Sequence, residues 1–160
     1  MSQQVDPRGQ QLAAAIASAV LVGVLLTAPA PIGLLLLAAQ AGLFATAVVL
    51  GVHRTPVAAL YRNVVRHRLG PPDHLEDSAP PRFAQGVGLV FVTVALAAFG
   101  VGADPVGYVA TAFALGAALL NATIGLCLGC EAYLVGRRLL AALDSSDHSQ
   151  LTATGSRSNP

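Results

Sequence analysis

The run GQQLAAAIASAVLVGVLLTAPAPIGLLLLAAQAGLFATAVVLGVH, residues 9–53, contains no Asp, Glu, Lys or Arg, and its one punctuation mark is Pro29-Ala30-Pro31. A bilayer core of about 30 Å is crossed by roughly 17 to 25 helical residues. The run therefore reads as two spans, Leu12 to Ala28 and Ile32 to Val52, joined by a tight turn. Hydrocarbon offers no partner for backbone N–H and C=O groups, so each span must close its hydrogen bonds internally as a helix. The short alternating segments of a membrane β-barrel are not seen.

The pattern recurs. Phe83 to Val101 and Val106 to about Leu126 are apolar, the second continuing apolar to Val135, and Asp104 is the only charged residue between Arg82 and Glu131. Over 160 residues the hydrophobic share is 54% and the charged share 11%, against roughly 25% charged in a soluble domain. That balance excludes a soluble enzyme, a secreted disulfide-knotted module and a disordered chain. Net charge is +1 and all nine basic residues are Arg, so the broad basic face of a nucleic-acid binder is missing. The expected architecture is all-α: an integral membrane four-helix bundle in one domain, residues 1–143, with spans at about 12–28, 32–52, 83–101 and 106–135. Residues 144–160 read as a disordered tail.

Orientation follows from arginine. The two short turns hold none, whereas the segment from His53 to Arg82 holds Arg54, Arg62, Arg66, Arg68 and Arg82, and Arg8 and the Arg137-Arg138 pair lie on the same side. The positive-inside rule puts that side, with both termini, in the cytoplasm. Ala28-Pro29-Ala30 resembles a signal-peptide cleavage site, but Pro31 and a second span follow at once, so that reading is rejected. Thr55-Pro56 caps a short interfacial helix to Arg68, with Val57, Leu60, Tyr61 and Val64 on one face, held against anionic lipid. Gly70 to Pro81 is an irregular link.

Sliding the chain against itself by 74 residues pairs Pro7-Arg8 with Pro81-Arg82, Gln11 with Gln85, Pro31 with Pro105, and Gly33, Gly42 and Gly51 with Gly107, Gly116 and Gly125. The implied unit is a spanning hairpin used twice in one orientation, about a pseudo-twofold axis along the membrane normal. Cys127 is then the equivalent of His53, near the inner interface.

Chemistry concentrates in Asn121-Ala-Thr-Ile-Gly-Leu-Cys127-Leu-Gly-Cys130-Glu131, which holds the only two cysteines. On a continuous helix the two sulfurs and the Glu131 carboxylate share one face, while Gly125, Gly129, Ala132 and Gly136 form a small-residue stripe for close packing. Cys127 and Cys130 read either as a redox or sulfur-handling pair or as soft packing residues. Late in a helix the pair meets the negative end of the dipole, which opposes thiolate; a break at Gly125 or Gly129 that starts a new helix reverses this. Glu131 reads as a proton-handling group or as the ion-pair partner of Arg138 or Arg54. Asn121 and Thr123 read as helix-to-helix glue or as the lining of a polar cavity. A closed zinc site wants four ligands, and only His53, His67 and His74 are at hand to complete one, so no metal or cofactor is expected.

Val5 to Gly9 (Val-Asp-Pro-Arg-Gly), Pro81 to Gln85 (Pro-Arg-Phe-Ala-Gln) and Asn121 to Glu131 carry a resemblance to domain-of-unknown-function family 4395, bacterial four-helix integral membrane proteins. Ala84 stands where relatives have Asn. The resemblance implies a multi-pass protein of the bacterial plasma membrane. Its genes tend to lie near thioredoxin-like and sulfurtransferase genes, which implies thiol or sulfur chemistry with a soluble partner of that kind. Two other readings stay open: a transporter or channel-like subunit for a sulfur species or anion, sensitive to enlargement of Gly42 or Gly116, and a non-catalytic anchor recruiting partners through Arg54 to Arg82. Assembly of several copies is also open.

Overall fold

The computed structural model describes residues 4–65 and 76–155, and the side chains of 5–64 and 77–143. Four long helices dominate: α1 (Pro7–Thr27), α2 (Pro31–Leu50), α4 (Ala79–Gly100) and α5 (Asp104–Ile124). Each has Pro in its first turn, where the fixed φ suits the helix and the missing N–H has no partner to lose. All four are long and apolar enough to cross a membrane, so the chain fits an integral membrane protein. The helices start at these prolines, before the apolar runs begin. The fourth span ends at Ile124 and does not run to Val135.

Each long helix packs on two others, giving the ring order α1, α2, α4, α5. Leu21, Val24, Leu37 and Val92 are fully buried at its centre, with Ala95, Phe99, Ala110 and Ala114 around them. All of these lie in the half nearer the α1–α2 and α4–α5 turns. There the Tyr108 hydroxyl donates to the Ala28 carbonyl at 2.6 Å, and Phe99 meets the Tyr108 ring edge-on at 5.2 Å. These contacts knit one turn to the other.

A Cβ on Gly107 would lie 2.7 Å from the Phe99 ring, whereas one on Gly116 would meet nothing within 4 Å. Alanine in a helix interior gains about 1 kcal/mol over glycine, but overpacking a filled core costs about 1–3 kcal/mol. Gly107→Ala is therefore expected to lower the midpoint of thermal unfolding in detergent, and Gly116→Ala to leave it unchanged or raise it.

At the opposite, arginine-rich end, the Arg82 Nε donates to the Val48 carbonyl at 2.6 Å, satisfying an acceptor that the last turn of α2 leaves open. Beyond Gly51, whose φ is +93°, a 3₁₀ turn (Val52–Arg54) leads into α3 (Pro56–Leu60), which winds on as a wider turn over Tyr61–Val65. Thr55 caps α3, its hydroxyl accepting from the Ala58 N–H at 3.1 Å. Of the apolar face anticipated for this helix, Tyr61 is buried and donates to Asp6 at 2.6 Å, while Leu60 and Val64 are exposed. The rest of that helix, with Arg66 and Arg68, and most of the link after it fall outside the described residues. The architecture is all-α apart from a two-residue antiparallel pairing of β1 (Gln4–Val5) with β2 (Glu76–Asp77). A last helix, α6 (Leu128–Gly155), runs through residues 144–155, where the sequence suggested a disordered tail; residues 156–160 fall outside the described residues.

Candidate functional site

The apolar stretch that the sequence carried to about Val135, with a break at Gly125 or Gly129 held open, is two helices, broken at Gly125. Gly125 adopts the left-handed conformation, φ +71° and ψ 8°, and ends α5 with its N–H on the Asn121 carbonyl at 3.2 Å. A residue with Cβ pays for that backbone region and glycine does not, which is why the chain breaks there. Leu126 and Cys127 lie outside any helix, and α6 begins at Leu128.

Cys127 thus sits at the position preceding the first residue of a helix. Its carbonyl accepts from the Glu131 N–H at 3.0 Å, and its Sγ accepts from the Cys130 N–H at 3.3 Å. The sulfur occupies the place that a Ser or Asp oxygen takes in an ordinary N-terminal cap. Cys130 lies in the first turn, its Cα 5.2 Å from that of Cys127, and the two sulfurs are joined as a disulfide. Both cysteines are half-buried. In place of the shared face of an unbroken helix, both sulfurs stand at the positive end of the α6 dipole.

The first turn of α6 is held against the first turns of α4. Gly129 approaches so closely that a Cβ there would lie 2.6 Å from the Cα and Cβ of Ala84, and Phe83 packs on Tyr133 at 5.6 Å between ring centroids. Of the small-residue stripe, only Gly129 makes such a backbone approach; a Cβ on Gly125 would meet the Gln11 side chain at 3.0 Å, Ala132 is exposed and Gly136 faces open space. Glu131 is exposed in the first turn, and among the described residues no ion pair joins it to Arg138 or Arg54. Thr123 is exposed and donates to the Leu119 carbonyl of its own helix at 2.7 Å. Gly42 and Gly116 are exposed with nothing near them and form no constriction of a central path.

Among the described residues no three His, Cys, Asp or Glu come together as a metal site, so His53 completes none with the cysteines. It lines instead a cavity of about 490 Å³ between α1, α2 and α3, with Gln85 of α4 on its far wall. Gln40, on the α2 side of the same cavity, is the lining residue that the sequence reading passed over. It is 2% exposed and its Oε1 has no hydrogen-bond partner among the described residues. A lone amide at the centre of an otherwise apolar span was the available signal.

Fold and site together define a multi-pass helical membrane protein with a Cys-x-x-Cys pair at the start of a helix that follows the fourth span. The profile of the family described as Domain of unknown function (DUF4395) matches residues 5–138, and the chain belongs to that family. Comparison with curated proteins and with solved structures finds no match.

Proposed function

We propose that Cys127 and Cys130 form a thiol–disulfide centre at the cytoplasmic face of a plasma-membrane protein, exchanging two electrons with a soluble thioredoxin-like or sulfurtransferase partner. The observation that carries this reading is the Cys130 N–H on the Cys127 sulfur at a helix start. A helix N-terminus and a directed N–H both favour thiolate over thiol. In the reduced protein the Cys127 thiolate attacks a partner disulfide, forming a mixed disulfide and releasing one partner thiolate. Cys130 then gives up its proton, for which Glu131 is the neighbouring acceptor, and attacks the Cys127 sulfur. The Cys127–Cys130 bond forms as the partner leaves with both of its sulfurs reduced; the reverse sequence oxidises the partner. Cytosolic reductants favour the dithiol at rest, so the disulfide is the transient form in cells.

Orientation rests on the arginines. The tandem-hairpin reading is supported by burial: at the offset of 74, Ser18 and Val92, Leu21 and Ala95, Val24 and Ala98, Gly33 and Gly107, and Leu37 and Thr111 are buried in both members. Gly51 and Gly125, which end α2 and α5, both have positive φ.

Thiol trapping tests the proposal. Cells treated with a membrane-permeant alkylating reagent, with and without a prior oxidant pulse, are expected to show both cysteines alkylated at rest and protected after oxidation. A pair that stays in one state under both treatments refutes it.

A further inference from the structure

The interior of the bundle is asymmetric along its length. Toward the turns it is solid, filled by Leu21, Val24, Leu37, Val92 and Phe99. Toward the arginine-rich end it opens into the 490 Å³ cavity, which passes Gln10, His53, Thr55 and Arg62 and reaches Ile16, Ala17 and Gln40. Gln40 is midway along α2, about 15 Å of helix from either end, so the cavity extends from one face to mid-membrane.

The two hairpins differ at this end for a reason visible in their residues. The 74-residue offset pairs Gly129 with Thr55 and Ala84 with Gln10. In the second hairpin Gly129 lies flush on Ala84 and the space is closed. In the first, Thr55 and Gln10 both border the cavity; with side chains of that size the segment after α2 stands off α1.

A carboxamide oxygen buried in a membrane without a partner is costly. The Gln40 Oε1 is in that position, and the buried His53 Nδ1 on the same cavity also has no partner among the described residues. The Gln40 amide makes no hydrogen bond among the described residues, so a hydrogen-bonding occupant of the cavity it lines would relieve that cost. The cavity is of the size that holds a small molecule, its walls are mostly apolar, and Asp6 and Arg62 near the arginine-rich end are the only Asp, Glu, Lys or Arg among its lining residues. An ion moved past them would be desolvated without a counter-charge. We propose that the cavity is a vestibule, open at the arginine-rich face, that admits small uncharged polar molecules as far as Gln40.

The test uses no cysteine of the native pair, so its result is independent of the thiol–disulfide proposal. In full-length Cys127→Ser/Cys130→Ser protein, in sealed vesicles with the arginine-rich face outward, single cysteines are labelled with 2-hydroxyethyl methanethiosulfonate and with its trimethylammonium and sulfonate analogues. Gln40→Cys and Ala47→Cys line the cavity; Ala39→Cys, exposed on the bundle surface beside Gln40, and Leu37→Cys, in the solid half, are controls. The uncharged reagent is expected to label the cavity positions on the order of tenfold faster than both controls, because thiolate forms only where water reaches it. At Gln40→Cys the charged reagents are expected to be slower by about tenfold or more. If Gln40→Cys does not assemble, Ala47→Cys and Ala13→Cys carry the comparison. Cavity positions labelled no faster than Ala39→Cys overturn the vestibule, and equal rates for charged and uncharged reagents at the deepest cavity position that assembles overturn its preference for neutral molecules.

Discussion

A Cys130→Ser variant expressed in cells is expected to accumulate a covalent adduct with its soluble partner, seen as a higher band on non-reducing gels that collapses on reduction. The variant loses the thiol that resolves the mixed disulfide but keeps the backbone N–H of residue 130, so the Cys127 sulfur still has its donor at 3.3 Å and its place at the start of α6. Cys127→Ser removes the sulfur that enjoys this environment and leaves Cys130, one turn into the helix, to attack alone. Each pKa unit of difference between the two thiols is about a tenfold difference in thiolate fraction below both pKa values. For each such unit the adduct from Cys130→Ser should exceed that from Cys127→Ser by roughly threefold, since part of the gain in thiolate is offset by its lower nucleophilicity. Equal adducts, or more from Cys127→Ser, would mean that the N–H on the Cys127 sulfur does not choose the attacking residue, and the order of steps proposed above would be wrong.

The spans were readable from composition because membrane insertion imposes a rule on every residue at once: a stretch without charge and about 20 residues long has one way to satisfy its backbone. The end of the fourth span was not, because the apolar run from Val106 to Val135 continues straight through the break. Only the φ of Gly125 distinguishes a helix that carries on from one that turns, and a glycine in an apolar run is as readily a packing residue as a stop signal. The two cysteines were found by sequence, but it left two placements open, on the face of a continuous helix or at the start of a new one after a break at Gly125 or Gly129; the structure has the second. The difference decides the electrostatics, since the same sulfurs stand at the negative end of one helix in the first placement and at the positive end of the next in the second. Gln40 escaped notice for the opposite reason: one amide hardly alters the hydropathy of α2, and its meaning depends on a cavity shaped by α1, α3 and α4, which no local pattern encodes.

Gly129→Leu is expected to detach the Cys-x-x-Cys turn from the bundle. At residue 129 the neighbour is backbone: a Cβ would lie 2.6 Å from both the Cα and the Cβ of Ala84, and neither can swing away as a flexible side chain would. The first turn of α6 must therefore lift off α4, taking the Phe83–Tyr133 contact with it. Overpacking costs about 1–3 kcal/mol where side chains can rearrange, and a clash with backbone stands at the upper end of that range or beyond it. Gly136→Leu, on the same helix with nothing within 4 Å, is the control for helix propensity and added bulk. Gly129→Leu should lower the thermal midpoint in detergent by several degrees more than Gly136→Leu and raise the alkylation rate of the reduced cysteines, because the undocked turn no longer shields the half-buried sulfurs. Ala84→Gly, which removes one of the two clashing atoms, should restore part of both. If Gly129→Leu and Gly136→Leu behave alike, the turn is not docked on Ala84, and the positioning of the sulfur pair must come from the Gly125 break alone.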